Sequence, residues 1–136
     1  MTDSNSEQGR ALNTVPKFCL AAIAKHAKPD ALNTKRAGEW QHIPAETFVN
    51  RVRHIALGLA ELGIRAGDRV ALLSENRPEW SIVDLGILSL GAINVPIYTT
   101  QAVEQVRYIL TDSGARLLFV SGRDSSSDVT ESRHFF

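Results

Sequence analysis

The chain has 136 residues, enough for one domain with its own core. Its 15 Lys plus Arg balance 15 Asp plus Glu, and no basic run stands out, which argues against a nucleic-acid partner. Cys19 is the only cysteine, so no internal disulfide can form and no Cys/His spacing suggests zinc. A lone thiol, read as a semi-buried structural group, fits a reducing compartment, and a cytoplasmic location is expected.

Residues 1–14 are polar and lack the apolar stretch of a signal peptide, so they read as a flexible lead. Val15 to Ala27 predicts a short helix starting near Pro16 and ended by Lys28-Pro29. Asp30 to Gln41 reads as a strand, a turn at Ala37-Gly38 and a return strand through Trp40, a β-hairpin. Phe48, Val52, Ile55, Leu59 and Leu62 follow at helical spacing and draw one apolar stripe. His54 falls on the wet side of that helix. Gly63 supplies its left-handed end, and Ile64 folds back on the last turn.

Arg65-Ala66-Gly67-Asp68 is a turn, and Arg69 to Ser74 is an apolar strand without polar alternation. Such a run predicts a strand covered on both faces, as in a parallel sheet. In the stretch Glu75-Asn76-Arg77-Pro78-Glu79-Trp80, Asn76 is the expected helix cap, with Glu79 completing a capping box and Pro78 in the first turn. Trp80 to Leu90 is apolar nearly all round, so it needs neighbours on more than one side. A membrane span is excluded for 82–97, which is too short and is broken by Asp84, Asn94 and Pro96. Gly91 ends this helix and Ala92 to Ile97 is the next strand, with Pro96 near its end. Tyr98-Thr99-Thr100 is a loop, with Thr100 the expected cap of an amphipathic helix over 102–112. Gly114 closes that helix, and Arg116 to Ser121 is a third buried strand. The order from 69 to 121 is βαβαβ, which predicts an α/β layer of parallel strands with right-handed crossovers. Residues 122–136 are polar and Ser-rich and read as a tail.

The layer invites a nucleotide-binding reading, but the expected loops are missing. The first strand-to-helix turn, 74–78, has no glycine and carries Glu75, so it matches neither a dinucleotide fingerprint nor a Walker loop. No Gly-x-Ser-x-Gly elbow is present. Ligands of open α/β sheets gather at strand carboxyl ends. These ends are Ser74-Glu75-Asn76, Tyr98-Thr99-Thr100 and Ser121-Gly122, which makes Asn76, Tyr98, Thr99 and Thr100 the candidate ligand-facing residues. Each also has a plainer role, as a cap for Asn76 and Thr100 and as a boundary aromatic for Tyr98.

Three ordered stretches, LAELGIRAGDRVALLSENRPEW, LGAINVPIYTT and YILTDSGARLLFVS, resemble the amino-terminal part of AMP-forming acyl-CoA synthetases, which are acyl-adenylate-forming ligases. NVPIYTT leans toward the long-chain fatty acid branch. The resemblance covers roughly 15–121 and implies the N-terminal subdomain of an adenylate-forming ligase. For the full-length family it implies ATP, magnesium, coenzyme A and a fatty acid as cofactors and substrates. The family's phosphate loop and mobile carboxy-terminal domain lie downstream of the matched region, so no catalytic, cofactor-binding or metal residue is assigned here and the segment alone is expected to be inactive. Two departures stand out: Pro44 replaces a capping threonine, and the likeness stops after Ser121. The alternative is a non-catalytic α/β binding or regulatory module, self-associating through an uncovered apolar helix at 80–90. Membrane contact finds no support in an amphipathic basic helix.

Overall fold

The computed structural model describes residues 13–122. The lead and tail lie outside that range, apart from residues 13, 14 and 122. Contacts divide the chain into two bodies, residues 1–51 and 52–136.

In the first body, helix α1 spans Val15–His26, with Pro16 in its first turn and Ala27 left-handed at its end (φ 45°). Strands β1 (Leu32–Arg36) and β2 (Glu39–Ile43) pair antiparallel, Lys35 opposite Trp40 and Arg36 opposite Glu39. The hairpin foreseen over 30–41 is therefore present. Its two-residue turn puts both Ala37 (φ 49°) and Gly38 (φ 85°) at positive φ, the geometry that matches strand twist in tight hairpins. Helix α2, Ala45–Glu61, crosses from the first body into the second. Its first turn has no capping side chain at Pro44, but the carbonyl of Pro44 accepts the Phe48 N–H (2.9 Å) and the Ala45 N–H donates to the Lys28 carbonyl (2.9 Å). Main chain thus meets the first free donor, the Ala45 N–H, but not the Glu46 or Thr47 N–H that a threonine hydroxyl at 44 would reach.

In the second body, α2 ends as its glycine requires. The Ile64 N–H reaches the Leu59 carbonyl and the Gly63 N–H the Ala60 carbonyl, both at 3.0 Å, with Gly63 at φ 84°; this is the Schellman arrangement. The expected stripe holds for Phe48, Val52 and Leu59, which are buried. Leu62 departs from it. It lies one residue past the helix and is 43% exposed, because the cap swings the chain away from the helical path.

Strands β3 (Arg69–Leu73), β4 (Ile93–Ile97) and β5 (Leu117–Val120) form a parallel sheet in the order β4-β3-β5. Helix α3 (Pro78–Ser89) joins β3 to β4, and α4 (Val103–Ser113) joins β4 to β5. Side-chain alternation along β3 sorts the core into two clusters. Val70, Leu72 and Leu117 pack with Leu59 of α2 and Val83 and Ile87 of α3. Ala71, Ile97 and Leu118 pack with Val106, Ile109 and Leu110 of α4. The sheet is covered on both faces, as the unbroken apolar runs predict.

Helix α3 also meets α2 at close range. A Cβ placed at Gly86 would lie 2.4 Å from Ile55 Cγ2 and 3.3 Å from the Val52 carbonyl, so only glycine allows this approach. Ile82, Val83, Leu85 and Ile87 are all buried. The 80–90 helix is therefore covered within this chain and does not offer the surface on which self-association was expected. The Asn94 amide of β4 donates to Asp84 Oδ1 of α3 at 2.7 Å, while its own Oδ1 is buried without a partner among the described residues.

Pro96 is tolerated for a reason more specific than closeness to a strand end. The Ile93 N–H donates to the Asp68 carbonyl (2.8 Å), so 93, 95 and 97 direct their main-chain groups toward β3 and the alternate residues face outward. Pro96 belongs to the outward set on an edge strand and takes nothing from the ladder.

Candidate functional site

Leu73 pairs with Ile97 and with Val120, so the three strands end level and their following segments leave one rim of the sheet. From β3 the chain passes to α3 on one face, and from β4 to α4 on the other. Strand carboxyl ends are the usual ligand position in such sheets, and in the order β4-β3-β5 the cleft at this rim lies between β3 and β5.

The residues singled out from sequence fall in the segments that follow β3 and β4 at this rim. Asn76, Thr99 and Thr100 are exposed, and Tyr98 is 77% exposed. Their expected local roles are corrected. Asn76 does not cap α3; Arg77 does, with extended dihedrals (φ −149°, ψ 161°) and no side-chain cap bond. The cause is Pro78, which disfavours helical dihedrals in the residue before it and so makes that residue the cap. Glu79 closes no capping box. Its Oε2 accepts from Arg77 Nε at 2.8 Å, an ion pair that is about four-fifths buried. Thr100 does not cap α4 either. That place falls to Ala102, whose N–H donates to Gln105 Oε1 (3.3 Å) and whose carbonyl accepts from Val106 (3.0 Å). A turn closed by the Gln101 N–H on the Tyr98 carbonyl (3.1 Å) uses up the intervening residues.

On the other side of β3 the rim is knitted together. The Ser121 N–H donates to the Leu73 carbonyl (3.0 Å), the Glu75 N–H to Ser121 Oγ (3.4 Å), and Ser74 Oγ to the Glu75 carbonyl (2.9 Å). A small cleft here is lined by Ser74, Arg77, Glu79, Trp80, Phe119 and Ser121, among others. Sequence reading placed Ser74 and Ser121 at this rim but treated Arg77, Glu79, Trp80 and Phe119 as helix or strand residues. The available signal was the Arg77-Pro78-Glu79 run, in which the proline aligns two opposite charges.

A triphosphate does not fit the β3–α3 turn. No glycine there lets main chain close on a phosphate, Glu75 brings a negative charge, and the Arg77 guanidinium is already paired with Glu79. Among the described residues no group of three His, Cys, Asp or Glu side chains could hold a metal ion. The rim presents exposed polar groups and one tyrosine.

The other rim of the sheet, where strands begin, is built differently. Asp68 accepts the Arg65 N–H (2.7 Å) and Arg116 Nη1 (2.6 Å). Arg116 also reaches the Gly63 carbonyl (3.3 Å), and Arg69 Nε donates to the Ser113 carbonyl at the end of α4 (2.7 Å). The Arg65 main-chain N–H, aided by the Arg116 and Arg69 charges, holds the Asp68 carboxyl below its ordinary value.

Comparison with known proteins places this architecture. The AMP-binding enzyme family matches residues 20–134. The long-chain-fatty-acid–CoA ligase FadD15 of Mycobacterium bovis is 45% identical over 115 residues, which is 82% of this chain but 19% of the relative. The chain thus spans about a fifth of such a relative, at its amino-terminal part. Among solved structures, CmiS6 superposes with a TM-score of 0.73 at 22% identity, covering 85% of this chain and 30% of that one. The N-terminal subdomain of Klebsiella oxytoca NpsA superposes at 0.65 with 23% identity, covering 82% and 28%. At those identities the structures speak for the fold alone.

Proposed function

We propose, for a chain that belongs to the AMP-binding enzyme family, that it forms the amino-terminal portion of a long-chain fatty acid–CoA ligase. The overall reaction would join a fatty acid to coenzyme A, with ATP converted to AMP and pyrophosphate and magnesium offsetting phosphate charge. The observation that carries this reading is the 45% identity to a ligase across 115 residues, running through the parallel β3-α3-β4-α4-β5 unit.

In this reading the described residues supply scaffold rather than chemistry. The rim at the strand carboxyl ends, with Asn76, Tyr98, Thr99 and Thr100, lines one wall of a site whose phosphate-gripping residues lie elsewhere in the full-length enzyme. A cytoplasmic enzyme fits the lone thiol, Cys19. The 136 residues by themselves catalyse nothing, and a mixture with ATP, magnesium, palmitate and coenzyme A should release no pyrophosphate. A chimera gives the positive test: residues 20–121 replace the matching stretch of FadD15, and palmitoyl-CoA formation is followed. An active chimera is expected. A folded chimera without activity would remove the proposal.

A further inference from the structure

The two edges of the parallel sheet are managed differently. On β4 the Ile93 N–H donates to the Asp68 carbonyl, which turns the main-chain groups of 94 and 96 outward, and Pro96 brings no donor to that edge. The Asn94 side chain is tied to Asp84. The β5 edge is the opposite case. Leu117 pairs with Val70 and Phe119 with Leu72, and the Ser121 N–H donates to the Leu73 carbonyl (3.0 Å). That phase points the main-chain groups of 117, 119 and 121 at β3 and those of Leu118 and Val120 outward. No other strand among the described residues pairs with β5. Nothing along Leu117–Val120 shields the edge: the strand holds no proline and no charge, and Val120 is 45% exposed. An edge left this way recruits another strand, which is why proteins normally blunt it.

The strand that fits is a second β5. Two copies running antiparallel about a two-fold axis through Phe119 set Leu118 opposite Val120 of the second copy. Both residues have outward main-chain groups, so each such pair exchanges two N–H···O bonds. The side chains agree with that register. Leu118 lies on the α4 face of the sheet, and Val120 shares that face by alternation, so an aliphatic pair forms there. Phe119 lies on the α3 face, and the two rings meet on the axis at a non-hydrogen-bonded position, where side chains approach most closely. Charge raises no obstacle. Arg116 falls opposite Gly122 of the second copy and is already engaged by Asp68, and the chain is neutral as a whole, so copies do not repel one another.

We infer that the β5 edge is a self-association surface, on which a second copy of this chain adds its own β5 and makes one sheet continuous across both. An edge of four residues falls short of the roughly 1,200 Å² that a stable interface buries, so the dimer is weak and dissociates on dilution. The inference does not rest on the ligase reading. It places self-association on a strand edge, in contrast to the covered helix at 80–90.

The test follows the mass of the full 136-residue chain by light scattering over a wide range of concentration, together with amide hydrogen exchange. A rise from monomer toward dimer is expected, with the Leu118 and Val120 amides gaining protection as the dimer forms. Val120→Pro gives β5 the device that β4 already carries. The Val120 N–H points outward, so the internal ladder loses nothing, and the chain should stay monomeric with unchanged circular dichroism. Val120→Lys reaches the same end by charge and serves where the proline variant does not fold. Ile93→Lys, on the β4 edge, should dimerise as wild type does. The proposal fails if wild type is monomeric at every concentration, if a folded Val120 variant dimerises as wild type does, or if Ile93→Lys prevents association. Protection of the 118 and 120 amides in a monomer would also overturn it and give the edge to residues 123–136.

Discussion

The two rims of the parallel sheet are built to opposite plans. At the starting rim, Gly63, Gly91 and Gly114 end the helices in the left-handed region, and Arg65, Arg69 and Arg116 are spent on carbonyls and on Asp68. At the finishing rim, α3 and α4 begin on Arg77 and Ala102 without a capping side chain, and Asn76, Tyr98, Thr99 and Thr100 stand exposed. Bonding is concentrated where strands enter and polar groups are left accessible where they leave. Charged side-chain bonds and exposed polar groups thus concentrate at different ends of one layer, so exposed residues can change at one end without loosening the bonds at the other.

The starting rim should break first. Gly91 sits at φ 76° and a Cβ there would lie 3.2 Å from that of Ala66, so Gly91→Ala is expected to cost about 1–3 kcal/mol through a left-handed alanine. Chemical denaturation reads this as a lower midpoint at unchanged slope. The finishing rim should instead accept improvement. A102S would complete a Ser-x-x-Gln box with Gln105 and stabilise the chain by about 1 kcal/mol. A loss on A102S would contradict the view that this rim is under-capped.

The smallest effect concerns Asp68. Its carboxyl is held low in the folded state, so its contribution is present above the ordinary carboxylate range and is lost as pH falls through the lowered value. Asp68→Asn should lower the thermal midpoint at neutral pH, and the gap to wild type should close under acid. A gap that persists at low pH would show that the charge on Asp68 is not what joins Arg65 to Arg116.

Much of this could be read directly from residue order. The apolar runs of β3 and β5 predicted a sheet covered on both faces, and the stripe from Phe48 to Leu59 predicted α2. Glycines 63, 91 and 114 marked helix ends because few other residues adopt that geometry cheaply. The caps were misplaced for equally local reasons: a proline redirected one start to Arg77, and a turn at Tyr98–Gln101 delayed the other to Ala102. The finishing rim was identified from strand ends, but the Arg77–Glu79 pair was not, since a capping box and an ion pair use the same residues.

Residue order by itself determined the elements, their parallel kind and the family, since hydrophobic period, turn residues and motif spacing are properties of neighbours along the chain. Tertiary structure decided that β3 lies between β4 and β5, that α3 and α4 take opposite faces, and that Gly86 sits against Ile55. Those outcomes depend on which distant side chains fill the same space, and packing between segments is settled only when the segments meet.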